Sequence, residues 1–144
     1  MNQENYQCSI SVKATAEDSF QAINNVPEWW AKKVVGSSDH LNDVFMIDWG
    51  ETWVKFKITD FDANKKITWH CTDCYLGWLK DKTEWKGTTV VFELASEPGG
   101  TKIDFTHKGL VPQVECYDQC VKGWDQYVKG SLVGLLNEGK GQPS

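Results

Sequence analysis

The end of this chain does most to limit how it can fold. After a strand-like stretch and a Val111-Pro112 break, the spacing predicts one amphipathic helix over residues 115–138. Tyr117, Cys120, Val121, Trp124, Val128, Leu132, Leu135 and Leu136 recur at intervals of three and four, which makes one wide apolar face that has to be buried. Between Val44 and His107 most of the chain alternates with period two, so the large partner available to that face is a sheet. The expected class is α+β: a curved antiparallel sheet wrapped around a long C-terminal helix, with two short helices after the first strand. Such an arrangement can enclose a cavity.

Tyr6, Cys8, Ile10 and Val12 alternate with polar residues and predict the first strand. Thr15 is placed to cap a helix that carries Glu17 and Asp18 in its first turn and Phe20 and Ile23 on its apolar side. Pro27 opens a second short helix through Trp29 and Trp30, and a polar loop follows over 36–42. Strands are then expected around Phe45 to Trp49, Val54 to Ile58, Ile67 to Cys71, 83–94 and 101–107, with an extended connection over 73–82. Gly87 predicts a bulge or bend inside the fourth of these. The tail 139–144 is expected to fray, and Gly123, Gly130 and Gly134 are expected to admit a close neighbour.

At 144 residues the chain reads as one domain, 1–144, able to bury roughly two-thirds of the surface its unfolded form exposes. The 20 acidic residues outnumber the 15 basic ones, and the net charge of -5 argues against nucleic acid or an anionic membrane as a partner. No apolar run is long enough to span a bilayer and no leader is apparent, so a cytoplasmic location is expected. Without a secretion signal, the odd count of five cysteines predicts reduced thiols.

The segments Asn25-Val-Pro-Glu-Trp-Trp30, Leu79-Lys-Asp-Lys-Thr-Glu-Trp85 and Phe105-Thr-His-Lys-Gly-Leu-Val-Pro112, followed by Glu115-Cys-Tyr-Asp-Gln-Cys120 and Trp124, carry a resemblance. They are similar to the bacterial members of the START-like, or SRPBCC, superfamily that are grouped with activators of the heat-shock-protein-90 ATPase. The likeness covers nearly the whole chain and implies the helix-grip fold. It also implies a site between sheet and long helix, used in the superfamily by carriers of apolar ligands, by cyclases and by cochaperones in stress responses.

The candidate ligand-binding residues are those sharing an inward phase. Trp49, Phe56, Trp69 and Cys71 form one wall, and Trp85, Phe105, His107, Cys120 and Trp124 form the other. Plain core packing is the competing role for the aromatics. His107, expected at the cavity mouth, either meets a ligand or pins the following turn through a backbone hydrogen bond. Glu84 and Glu115 are placed to meet a polar ligand group or to serve the helix start. Cys71-Thr-Asp-Cys74 and Cys116-Tyr-Asp-Gln-Cys120 have a spacing that zinc can use, with His70 or His107, but buried thiols are the expectation. No paired-acid, nucleophile-and-base or phosphate-loop signature is present, so no cofactor, metal or catalytic residue is expected. The expected function is non-catalytic binding of a small apolar or amphipathic molecule by a monomer or homodimer. The alternatives are a chaperone-associated interaction module using Trp29, Trp30 and Trp78, and an enzyme of the cyclase or hydrolase type.

Overall fold

The computed structural model describes residues 5–143. Its elements run β1 (Tyr6–Val12), α1 (Ala16–Asn24), a single 3-10 turn (Val26–Glu28), β2 (Val34–Gly36), β3 (Val44–Asp48), β4 (Thr52–Asp62), β5 (Lys66–Leu76), β6 (Thr89–Glu97), β7 (Gly100–Lys108), and a C-terminal helix. That helix is α2 (Tyr117–Trp124), a π-helical segment (Asp125–Leu132) and α3 (Val133–Glu138) in unbroken succession. The seven strands form one antiparallel sheet in the order β1-β7-β6-β5-β4-β3-β2. This is the helix-grip arrangement that the sequence predicts.

Alternation accounts for the sheet. Phe45 and Ile47, Val54, Phe56 and Ile58, Ile67, Trp69 and Cys71, and Ile103, Phe105 and His107 are all fully or almost fully buried, while Lys55 and Lys57 lie on the other phase of β4. Thr15 caps α1 as expected, its Oγ1 accepting from the Asp18 amide at 3.1 Å. Phe20 and Ile23 turn that helix onto the sheet, and α3 packs on β1 and α1.

Several expectations are corrected. The strand expected over 83–94 begins only at Thr89, because Gly87 adopts φ 86° and the chain before it coils into turns. What continues further than expected is β5, which runs on to Leu76. Val34–Gly36 pairs with β3 as an edge strand that three residues are too short to announce. The second helix is reduced to one 3-10 turn. The tail does not fray over its described residues: the Lys140 amide donates to the Gly134 carbonyl at 3.3 Å and the Gln142 amide to Ser131 Oγ at 2.6 Å. Ser144 lies outside the described residues. Of the three helix glycines only Gly134 admits a neighbour, the Lys140 carbonyl, 2.7 Å from where a Cβ would stand. Gly123 and Gly130 face open space.

The C-terminal helix is pinned at its π-helical segment. Asp125 accepts a hydrogen bond from the Tyr6 hydroxyl on β1, and Ser131 Oγ donates to the Trp29 carbonyl at 2.6 Å. Burial and the bond to Asp125 push the Tyr6 phenol well above its usual range, so it remains a donor. Among the described residues no helix is long and apolar enough to cross a membrane.

Candidate functional site

The space between sheet and helix is filled from the chain itself. Trp30 lies parallel to Trp69, 2° apart with centroids 5.9 Å distant, and Trp29 stacks on both. Trp124 brings its ring to 4.9 Å from Trp30 and 4.6 Å from Phe105, and stacks on Trp85 at 5.8 Å. Six-ångström contacts of this kind leave little room between rings, and together they add to the area that each indole buries.

What stays open is a groove of about 320 Å³ at one end of this stack. Its floor is Trp30, Val54, Trp85 and Trp124; its rim is Trp49, Thr52, Leu76 and Trp78 on one side and Gln119, Cys120, Gly123 and Tyr127 on the helix. None of these side chains carries a formal charge. Trp49 and Trp78 are 36% and 51% exposed, so the rim presents indole to solvent. Gly123 helps open the groove, because no atom lies within 4 Å of the place its Cβ would take.

Of the residues predicted to line a site, Trp49, Trp85, Cys120 and Trp124 meet at this groove. Phe56, Trp69, Cys71, Phe105 and His107 do not reach it; each is 0% exposed in the packed core behind. Their inward phase is as expected, but the face they share is already occupied. Thr52, Gln119, Gly123 and Tyr127 carry no such signal in the sequence, since they sit at a strand start or on the polar side of the helical pattern.

His107 is not at a mouth but inside, and its partners define its tautomer. Trp124 Nε1, which can only donate, lies 3.0 Å from Nδ1. The ring proton is therefore on Nε2, which donates to Thr88 Oγ1 at 2.9 Å, and Thr88 Oγ1 donates in turn to the Trp85 carbonyl at 2.6 Å. Burial pushes the imidazole down to about 3, so it is neutral at physiological pH. A side-chain relay thus replaces the backbone hydrogen bond expected from sequence, and it ties β7, the helix and segment 77–88 together.

That segment is a strap carrying Trp78 and Trp85. Glu84 accepts from the amides of Glu115 and Cys116, both at 2.9 Å, satisfying two donors at the start of α2. Glu115 reciprocates, Oε1 accepting from the Lys80 and Asp81 amides at 3.1 and 3.2 Å. The two acids expected near a ligand therefore serve each other's segments. Lys82 Nζ adds bonds to the Gly77 and Leu79 carbonyls at 3.0 and 2.8 Å.

The exposed aromatic surface expected at Trp29 and Trp30 is corrected, since these are 0% and 1% exposed and only Trp78 of that set faces solvent. All five cysteines are free. Among the described residues, one group alone brings three potential metal donors within 4.8 Å of one another. It is Asp39, His40 and Asp43 on a loop, where Asp43 Oδ2 is already engaged by Ser37 Oγ and the amides of Asp39 and His40. The two cysteine pairs do not converge into such a group.

A family model described as Activator of Hsp90 ATPase homolog 1-like protein matches residues 14–137. Among solved structures, the chain is similar to the Aha1 dimer from Colwellia psychrerythraea, at 23% identity over 96% of this chain and 99% of that one, with a TM-score of 0.79. It is also similar to protein MLL2253 from Mesorhizobium loti, at 21% identity over 92% and 96% of the two chains and a TM-score of 0.72. A protein from Staphylococcus saprophyticus has 15% identity over 96% of each chain, with a TM-score of 0.72. At these identities the structural likenesses speak for the fold alone. No curated protein matches the chain.

Proposed function

The chain belongs to the Activator of Hsp90 ATPase homolog 1-like family, and on that premise we propose that it binds a small, partly apolar molecule, without catalysis, in the groove between the sheet and its C-terminal helix. The observation that carries this reading is the uncharged groove of about 320 Å³ with five tryptophans in its wall. That volume is at the lower end of what ligand pockets occupy, and apolar lining with a few polar groups at the edge is their usual chemistry. The ligand is small, because the deeper space is filled by Trp30, Trp69 and Trp124. Binding rather than catalysis is supported by His107, whose two ring nitrogens are both engaged away from the groove.

Gly123 provides the test. A Cβ there meets no other part of the protein within 4 Å, so a longer side chain can extend into the groove, and replacing a helical glycine gains up to about 1 kcal/mol of stability. Gly123→Leu is expected to fold at least as well as the parent and to lose most binding of a neutral naphthylamine dye, read by fluorescence titration. Unchanged dye affinity in a folded Gly123→Leu protein would remove the groove as the site.

A second reading rests on the exposed aromatics of the rim and of the adjoining end of β5. Tyr75, Trp49 and Trp78 are 41%, 36% and 51% exposed, and exposed aromatics of this kind anchor protein contacts. This reading expects the chain to raise the ATPase rate of a purified heat-shock-protein-90 chaperone, and Trp78→Ala to abolish the rise. A rate that does not respond to the chain counts against it.

A further inference from the structure

Half of the residues lining the groove are aromatic: Trp30, Trp49, Trp78, Trp85, Trp124 and Tyr127. Val54 and Leu76 are the only aliphatic side chains among them, so a guest there meets rings far more than alkyl groups. The rings that touch are inclined to one another. Trp49 stands at 70° to Trp30 with centroids 5.9 Å apart, and Trp124 is tilted 40° to Trp30. Trp85 and Trp124 are nearly parallel, 11° apart, but at 5.8 Å they close on each other, because a ring between them would need about 7 Å, twice the carbon contact distance. Walls set at such angles surround a rounded group, and their touching pairs offer no slot to a flat one.

Electrostatics select the sign of that group. The face of an aromatic ring is negative, and a cation within about 6 Å of its centre is attracted to it. No lysine or histidine lines the groove, and the net charge of -5 makes the long-range field favour cations. Lys82 of the strap spends its ammonium on the Gly77 and Leu79 carbonyls, 5.6 Å over the Tyr75 ring, which is not part of the groove. A carboxylate stands at the rim. Glu51 is exposed on the turn between Trp49 and Thr52, its Cβ 3.6 Å from the place a Cβ on Gly77 would take, beside Trp78. Its carboxylate takes part in no hydrogen bond or ion pair among the described residues.

We infer that the groove is an aromatic cage for a small organic cation, a trimethylammonium group on a short chain, an inference that rests on the groove being the ligand site. The rings attract the charge without a buried counter-ion, and Glu51 faces it from the rim while staying in water. A trimethylammonium group suits the cage better than a primary amine does. Its charge is spread over methyl groups, so it gives up less hydration on entry, and it has no N–H to be left without an acceptor among the rings. The cation is a free molecule and not the head group of a lipid, because the core behind the groove is filled by Trp69, Phe92 and Phe105 and an acyl chain has nowhere to go. Trp78, 51% exposed, is the cage ring least committed to the fold, and its removal isolates the contribution of a ring face.

The experiment displaces the neutral naphthylamine dye from the full chain with choline and, separately, with 3,3-dimethylbutan-1-ol, which has the same shape with carbon in place of the charged nitrogen. Ionic strength is held equal with sodium chloride. Choline is expected to bind about fivefold or more tighter than the alcohol. Trp78→Leu keeps an apolar wall but removes the ring, and is expected to erase most of that preference while the alcohol's affinity changes by less than about twofold. Glu51→Gln is expected to lower the preference by about twofold at low ionic strength. Both positions are exposed, so both variants are expected to keep the parent's stability. A dye displaced by the alcohol as readily as by choline, a dye that choline leaves in place, or a preference that survives Trp78→Leu would each overturn the cage while leaving the groove as an apolar site. Sedimentation of the chain with phosphatidylcholine vesicles would also overturn the inference, by assigning the cage to a lipid head group. Dye and choline binding that both persist unchanged in Gly123→Leu would remove the groove itself, and the cage with it.

Discussion

His107 is a single side chain whose environment decides its charge, and the sign of its effect on stability follows. Its folded value of about 3 lies below the unfolded value near 6.5, so the unfolded chain binds the extra proton first. The stabilisation due to the neutral ring is complete above pH 6.5 and is lost as pH falls toward 3, by about 5 kcal/mol across that window. His107→Phe strands the Trp124 donor and removes the partner of Thr88, which is expected to cost about 2 to 5 kcal/mol at pH 7. The same variant should lose the His107 part of the acid sensitivity, so its denaturant midpoint changes less than the parent's between pH 6.5 and 4. A parent and variant with parallel pH profiles would contradict the buried, neutral assignment. The inward phase of His107 was legible in the Ile103, Phe105 alternation. Its depth was not, because Thr88 and Trp124, which enclose it, are distant in sequence.

Among the elements, the strap is the piece whose order depends most on a few named bonds. Glu84→Ala leaves the Glu115 and Cys116 amides at the start of α2 without their acceptor, and loss of a helix-start cap costs about 0.5 to 2 kcal/mol. The cost is expected to be local: amide hydrogen exchange should quicken at Glu115, Cys116 and across the strap while β4 to β7 keep their protection. Uniformly faster exchange would mean that the clamp supports the whole fold instead. The sequence disguised this element. Thr83 to Gly87 continues the alternation of a strand, and only the positive φ at Gly87 and the side-chain clamp reveal a coil. The long helix was legible as an apolar stripe, whereas no local pattern encodes the π-helical winding of the stretch that bonds Tyr6 and the Trp29 carbonyl.

Over the whole molecule, tryptophan separates two jobs. Trp30 is 1% exposed and touches Trp29, Trp69, Phe56 and Trp124, so Trp30→Ala is expected to cost about 3 to 5 kcal/mol, read as a large fall in the urea midpoint. Trp78, half-exposed on the rim, is expected to change stability by less than about 0.5 kcal/mol when truncated. Comparable losses at the two positions would mean that the rim is structural. Period and spacing announced which face of each strand points inward, and with it the sheet, the helix and their order. They did not announce how full the interior would be, since that depends on rings from β5, the two residues after the 3-10 turn and α2 meeting in three dimensions. The groove is what those rings leave over, and residues such as Gly123 define it by lacking a side chain.

The parallel indoles of Trp30 and Trp69 have one more consequence, which is optical. Two identical chromophores whose ring planes lie 2° apart at 5.9 Å are close enough to exchange excitation, and Trp29, Trp124 and Trp85 extend the array. Light absorbed anywhere in that array can pass between rings before it is emitted, so the protein's ultraviolet fluorescence belongs to the array and not to one ring. The folded chain therefore carries an antenna made of its own core, and any event that parts those rings registers in its emission.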